Sequence, residues 1–264
     1  MSTALPVPVS SPLTSALAGT TAVLVGGSSG IGLAAGVLLR SVGARVVLVG
    51  RDPDRLKTAV DQVRDACADG DSEDAVLGIA SDAADEKTLT EAFDAAGRVD
   101  HVLLTASGRT GTLPMSEMSA DDLRTTVDAR LWPAFAVARL AATRLPAGGS
   151  LTLTSGMLMA RPQPGTAARV ATLGAVEALT RGLAVELAPA RQRVNAIRYG
   201  RIDTPLLRSA PGHDSDDAVA TVGSAVPLGR VGTAQEAAAG ALFLMANNYI
   251  TGQILTLDGG ETLR

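Results

Sequence analysis

The most constraining stretch of this 264-residue chain is Gly26-Gly27-Ser28-Ser29-Gly30-Ile31-Gly32, which follows the apolar run Ala22 to Val25 and opens an Ala/Leu-rich segment of helical spacing. A strand that turns this sharply into a helix leaves the helix's first backbone N–H groups without partners, at the positive end of its dipole. Such an end attracts anions, phosphates above all. In this reading Gly26 permits the turn, Gly30 the approach of the backbone to a pyrophosphate, and Gly32 the close packing of helix on strand. Ser28, Ser29 and Ile31 complete the cradle.

The rest of the chain repeats the alternation. Short apolar runs at 22–25, 45–49, 75–79, 101–105, 150–154, 194–198 and 254–257 read as strands, and Ala/Leu-rich segments at about 30–41, 53–67, 85–96, 120–143, 166–188 and 233–246 read as helices. This pattern predicts an α/β Rossmann-type fold: a doubly wound, seven-stranded parallel sheet of order 3-2-1-4-5-6-7, helices on both faces, and a ligand beyond the carboxyl ends of the strands. Residues 1–18, threaded with prolines, read as a loose leader, and 19–264 as one dinucleotide-binding domain. The stretch 206–226, acidic and without strong periodicity, reads as a flap over a pocket or as a disordered insertion.

Composition narrows the partners. With a net charge of −4 and no basic run interleaved with aromatics, the chain offers nothing to a nucleic-acid backbone. The longest uncharged stretch, 237–257, carries Asn247, Asn248, Gly252 and Gln253 at its middle, which excludes a membrane span. One cysteine, Cys67, and two histidines, His101 and His213, make neither a disulfide nor a zinc set, so no metal is expected and a reducing cytoplasm is. Only Lys57 and Lys87 are lysines among 23 basic residues.

The GGSSGIG run resembles the TGxxxGIG fingerprint of short-chain dehydrogenases/reductases, with Val25 at the usual threonine. Asp82 after the third strand, RVNAI at 193–197 followed by Gly200, DTP at 203–205 and TGQILTLDGG at 251–260 extend the resemblance over most of the chain. It implies that Asp82 and Ala83 flank an adenine, Ala106 and Gly108 the adenosine ribose, and Ile202 and Thr204 the nicotinamide amide. The second strand ends Gly50-Arg51-Asp52, where NAD-preferring relatives carry an acidic residue for the ribose hydroxyls. A guanidinium there matches a 2′-phosphate, so NADP(H) is favoured over NAD(H), with Asp52 a competing partner for Arg51.

The family's proton machinery is a tyrosine, a lysine four residues on, a serine and an asparagine. Counting from the Leu183-Ala184-Val185-Glu186 segment, the tyrosine position falls on Arg169 and the lysine position on Leu173. The serine position falls on Gly156, with Ser155 one place early and serviceable only if a bulge turns it. The asparagine position falls on Arg130, and no YxxxK occurs anywhere. A guanidinium can bind or polarise an anion but cannot relay a proton. Arg130 and Arg169, with Arg198 and Arg201 flanking Tyr199-Gly200, are either a cationic pocket or arginines scattered over solvated faces in a chain poor in lysine. Tyr199 is the surviving candidate proton donor if Arg198 or Arg201 favours its phenolate, unless strand alternation turns it inward. Tyr249 and His101 read as structural, and His213 as a solvated flap residue within reach of a substrate.

Three functions compete. The first is an NADP(H)-dependent oxidoreductase acting on a small carbonyl or alcohol, neutral or anionic, through Arg169 or Arg130 with Tyr199, water or the substrate handling the proton. The second is a non-redox isomerase, cyclase or dehydratase that keeps the nucleotide for structure; the third is a catalytically silent nucleotide-binding protein. The resemblance also implies a homodimer or homotetramer built on the helices around 120–143 and 166–188. Arg51→Asp is expected to weaken NADPH binding roughly tenfold or more while NADH changes little, read by fluorescence titration; equal losses for both nucleotides would refute the 2′-phosphate role.

Overall fold

In the computed structural model, which describes residues 16–66, 73–106, 108 and 112–263, seven parallel strands form one sheet. They are β1 (Thr21–Val25), β2 (Arg45–Gly50), β3 (Val76–Ala80), β4 (His101–Leu104), β5 (Ser150–Gly156), β6 (Arg193–Tyr199) and β9 (Ile254–Leu257), in the order β3-β2-β1-β4-β5-β6-β9. This is the predicted order, with β9 as the seventh strand. A separate pair, β7 (Ile202–Asp203) and β8 (Gly232–Thr233), is too short to leave a periodic signal in the sequence.

The helices are α1 (Gly30–Ser41), α2 (Pro53–Arg64), α3 (Glu86–Ala96), α4 (Ala120–Asp128), α5 (Leu131–Arg144), α6 (Ala167–Leu187), α7 (Pro205–Arg208), α8 (Asp216–Ser224) and α9 (Ala234–Ala246). Two expectations are corrected. The predicted helix 120–143 is two helices, parted at Ala129 and Arg130, where Arg130 leaves helical geometry at φ −134 and ψ −51. Pro133 explains the break, because its ring would clash with the Ala129 carbonyl in a continuous helix. The stretch 206–226 is not a disordered insertion, since it carries the end of α7 and all of α8, and Ser215 caps α8 by accepting from the Ala218 N–H.

Alternation along the strands builds two cores. Val23, Val47, Val102, Leu151, Leu153, Val194 and Ala196 face α3, α5 and α6, while Leu24, Leu48, Leu103, Ile197 and Tyr199 face α1, α2 and α9. β1 is buried along its whole length, as a parallel strand covered on both faces must be. Leu17 is also buried and packs into the second core, so packing reaches into the expected leader. Residues 1–15 and Cys67 lie outside the described residues. Among the described residues no helix is long and apolar enough to cross a membrane, and no group of three His, Cys, Asp or Glu could hold a metal.

At the amino ends of the central strands, His101 on β4 stands opposite Ser150 on β5, and Ser150 opposite Arg193 on β6. The buried His101 ring shares a 2.9 Å hydrogen bond between Nδ1 and Ser150 Oγ. Burial, reinforced by Arg193 and opposed by Asp100, lowers its pKa from 6.5 to about 4. The native state therefore binds fewer protons than the unfolded chain between these values, so stability is full above pH 6.5 and declines as pH falls toward 4. The loss should amount to about 3 kcal/mol in total. Urea unfolding between pH 7 and pH 4 should show it, and His101→Asn should flatten that part of the profile; an unchanged slope in the variant would place the pH dependence elsewhere.

Candidate functional site

The turn after β1 is built by backbone contacts that admit no side chain. Gly26 has φ +93, and a Cβ there would lie 2.5 Å from the Ala106 N and 2.7 Å from Thr105 Oγ1. A Cβ on Gly32 would collide with the Gly26 carbonyl oxygen. Thr105 Oγ1 donates to that same carbonyl at 3.1 Å and the Ala106 N–H to Val25 O at 3.1 Å, so the ends of β1 and β4 are locked together. Ser29 is the N-cap of α1, yet its side chain makes no capping bond, and the first turn carries no acidic residue. The leading N–H groups of α1 are thus left to a ligand, and a pyrophosphate fits them.

The turn and the end of β2 meet. Ser28 Oγ lies 2.7 Å from where a Gly50 Cβ would be, which sets the Ser28 hydroxyl beside Arg51. Asp52 does not compete for Arg51: it caps α2 by accepting from the Asp54 and Arg55 N–H groups and pairs with the Arg55 guanidinium at 3.1 Å. Arg51 is exposed and makes no ion pair among the described residues. Asp82 is exposed and its carboxylate accepts from the Ala84 N–H, whereas Ala83 is buried. Ala106 and Gly108 are half-buried at the end of β4. Thr204 lies over the turn, its methyl 3.3 Å from a Cβ built on Gly30. The Ile202 side chain is buried beneath Gly232, which leaves only its backbone to serve a nicotinamide.

At the carboxyl ends of β4, β5 and β6 the polar and apolar groups separate. A Cβ on Gly156 would touch both Leu173 methyls at 3.8 Å, so the two positions that the resemblance assigns to serine and lysine face each other across an apolar contact. Arg130, at the start of α5, is buried, and its Nη2 donates to the Gly108 carbonyl at 3.5 Å. Burial, together with the nearby charge of Arg169 in the first turn of α6, lowers its pKa to about 10. Two arginines distant in sequence therefore sit within electrostatic reach of each other.

The other two candidates turn away. Ser155 pairs in unbroken register with Arg198, with no bulge, and its buried hydroxyl donates to Glu177 Oε1 at 2.8 Å beneath α6. Tyr199 is buried against α9, where its hydroxyl donates to the Ala237 carbonyl at 3.1 Å. Burial raises its pKa above the ordinary phenol value. The expectation that Arg198 or Arg201 would favour its phenolate is corrected, because Arg198 forms a fork on Glu177 and Arg201 pairs with Glu261. Tyr249 is fully exposed, and His213 Nδ1 stays inside its own turn, 3.0 Å from the Pro211 carbonyl.

With this geometry in place, the comparisons with known proteins are specific. The family profile described as enoyl-(acyl carrier protein) reductase matches residues 25–262. The chain is 30% identical over 257 residues to the short-chain dehydrogenase/reductase malC of Malbranchea aurantiaca, covering 94% of this chain and 96% of that one. It belongs to the short-chain dehydrogenase/reductase family. The solved structure titled MalC Reductase/Diels-Alderase superposes with a TM-score of 0.86 at 29% identity, over 96% of this chain and all of that one. NADPH-dependent aldehyde reductase 1, chloroplastic, of Arabidopsis thaliana is 28% identical over 94% of this chain and 88% of its own length. A short-chain oxidoreductase of Pseudomonas aeruginosa, titled as containing an atypical catalytic center, matches with a TM-score of 0.81 at 26% identity, over 91% of this chain and 96% of that one.

Around this short-chain dehydrogenase/reductase cleft stand ion pairs that the sequence reading passed over. Glu261, buried beside Gly200, accepts from the Arg201 N–H and guanidinium, and its backbone carbonyl accepts from Arg161 at 2.8 Å. Arg208 on α7 joins Asp203 to Asp216 at the start of α8. Glu177 takes both Ser155 and Arg198 while almost wholly buried. A carboxylate on the apolar face of α6, four residues after Leu173, was the signal available for it. Glu177→Ala strands Arg198 and the Ser155 hydroxyl, which should cost about 3 kcal/mol in urea unfolding; a loss below roughly 1 kcal/mol, within reach of an exposed pair, would show that the fork is not held in solution.

Proposed function

We propose that the chain is an NADP(H)-dependent oxidoreductase that reduces a small carbonyl compound in a site where guanidinium ions stand at the positions of its family's tyrosine and asparagine. The observation that carries this reading is Arg130, buried at the start of α5 against the Gly108 carbonyl and within electrostatic reach of Arg169. The uncapped start of α1, the Ser28 hydroxyl and the free Arg51 side chain fit the pyrophosphate and 2′-phosphate. Asp82 and Ala83 at the adenine, Ala106 and Gly108 at the ribose, and the Ile202 backbone with Thr204 at the amide complete the holding set.

NADPH, when bound, supplies a hydride. The chain's part is to stabilise the negative charge that then grows on the carbonyl oxygen, for which Arg130 and Arg169 are preorganised donors in a partly dry site. Neither arginine gives up a proton, and Tyr199 is committed to the Ala237 carbonyl, so the oxygen takes its proton from water. Arg161 and Arg201, held by Glu261, brace the far wall, and Arg208 fastens α7 and α8 as a flap. The protein works as a cytoplasmic homodimer or homotetramer through α5 and α6, a reading supported by the exposed Trp132, Phe135 and Val185.

A second reading, non-redox chemistry on a retained nucleotide, is favoured by the apolar contact between Gly156 and Leu173 and by the Diels-Alderase named in the MalC title. Incubation with NADPH deuterated at the transferring carbon and a panel of aldehydes, ketones and oxo acids separates the two. Deuterium in the product is the expected outcome. Substrate conversion without label or cofactor consumption would establish the second reading, and firm NADPH binding with no conversion across the panel would point to a silent nucleotide-binding protein.

A further inference from the structure

We propose that the substrate carries an oxyanionic group, a carboxylate or a phosphate, and that Arg130 and Arg169 bind that group together in the cofactor-loaded protein. This rests on the reading of the cleft as an NADP(H) site and adds the chemical class of what enters beside it.

The argument begins with helix ends. Six of the nine described helices, α2, α3, α4, α7, α8 and α9, are capped by a side chain, from Asp52, Asp85, Ser119, Thr204, Ser215 and Thr233. The other three, α1, α5 and α6, have no side-chain cap and no acidic residue in the first turn. The start of α1 is taken by the cofactor reading. At α5 the N-cap residue is Arg130 itself, and at α6 Arg169 is the third helical residue. A cation at a helix N-terminus opposes the dipole, so local helix stability selects against both. Two elements thus carry the same unfavourable choice and bring it to one place.

Ion pairing sharpens the point. Four arginines around the cleft are matched to carboxylates: Arg198 with Glu177, Arg201 with Glu261, Arg208 with Asp203, Arg230 with Glu236. Arg130 is more deeply buried than any of these, at 9% exposed, and has no carboxylate among the described residues. Its one hydrogen bond is the 3.5 Å contact to the Gly108 carbonyl, at the outer limit for such a bond. A buried cation of this kind lacks a counter-ion, and the lowered pKa noted above reports the same strain. Two guanidiniums from different helices present planar forks that match the oxygens of a carboxylate or phosphate. A neutral substrate would leave the buried Arg130 charge without a counter-ion.

The test uses the full chain. NADP⁺ is titrated first, and the saturated protein is then titrated with oxalate, with inorganic phosphate and with oxamide, a neutral compound of oxalate's shape, by calorimetry and by thermal shift. Oxalate or phosphate is expected to bind and raise the melting temperature while oxamide does neither; the anion that binds names the source. Arg130→Met should melt higher than the parent without anion, because an unmatched charge is gone, and should bind the anion roughly tenfold more weakly or worse. Arg130→Lys should keep part of the affinity. Absence of NADP⁺ binding overturns the cofactor reading and this inference with it. NADP⁺ binding with neither anion bound, oxamide bound as well as oxalate, or full anion affinity in Arg130→Met overturns the anion site alone.

Discussion

The structure depends first on a backbone contact, not on a side chain. The Gly26 carbonyl lies so close to Gly32 that no Cβ fits between them, and the same turn abuts the Ala106 amide at the end of β4. Helix α1 is thereby pinned across the end of β1 with its first N–H groups facing the cleft. Each neighbouring element takes its place from that contact: Ser28 over the end of β2, Thr204 over Gly30, and the apolar pair Gly156 and Leu173 beyond β4. Because backbone atoms set these distances, the cleft geometry tolerates wide change in the side chains around it. A glycine-built cradle and an arginine-bearing wall can therefore coexist in one molecule.

The fold was legible where periodicity and punctuation agreed. The strands of the main sheet lie within two residues of their predicted ends, because apolar runs bounded by glycine or polar residues have few other ways to be buried in a parallel sheet. The break between α4 and α5 was written in Pro133 but hidden by the uniform Ala/Leu composition on either side. α7 and α8 escaped notice because short capped helices on a surface need little apolar pattern. Leu17 packs into the core from a proline-rich stretch whose composition suggests looseness.

The site was legible in its residue types and not in its directions. Arg130 and Arg169 could be named from the family resemblance, by counting along its motifs, but their proximity depends on how α5 and α6 are set against the sheet. Tyr199 shows the opposite case. Strand parity turned it under α9, and one hydrogen bond to Ala237 withdraws it from the cleft. Ser155 and Arg198 meet on Glu177 because β5 and β6 run in unbroken register beneath α6, a fact no single-strand pattern contains.

The contact between Gly156 and Leu173 also governs how water meets that wall. A serine placed at 156 would carry its hydroxyl toward an isobutyl group that offers it no partner, and a lysine placed at 173 would lie against a residue without a side chain. A polar group added at either position alone is left to solvent, so wetting this patch takes two changes and not one.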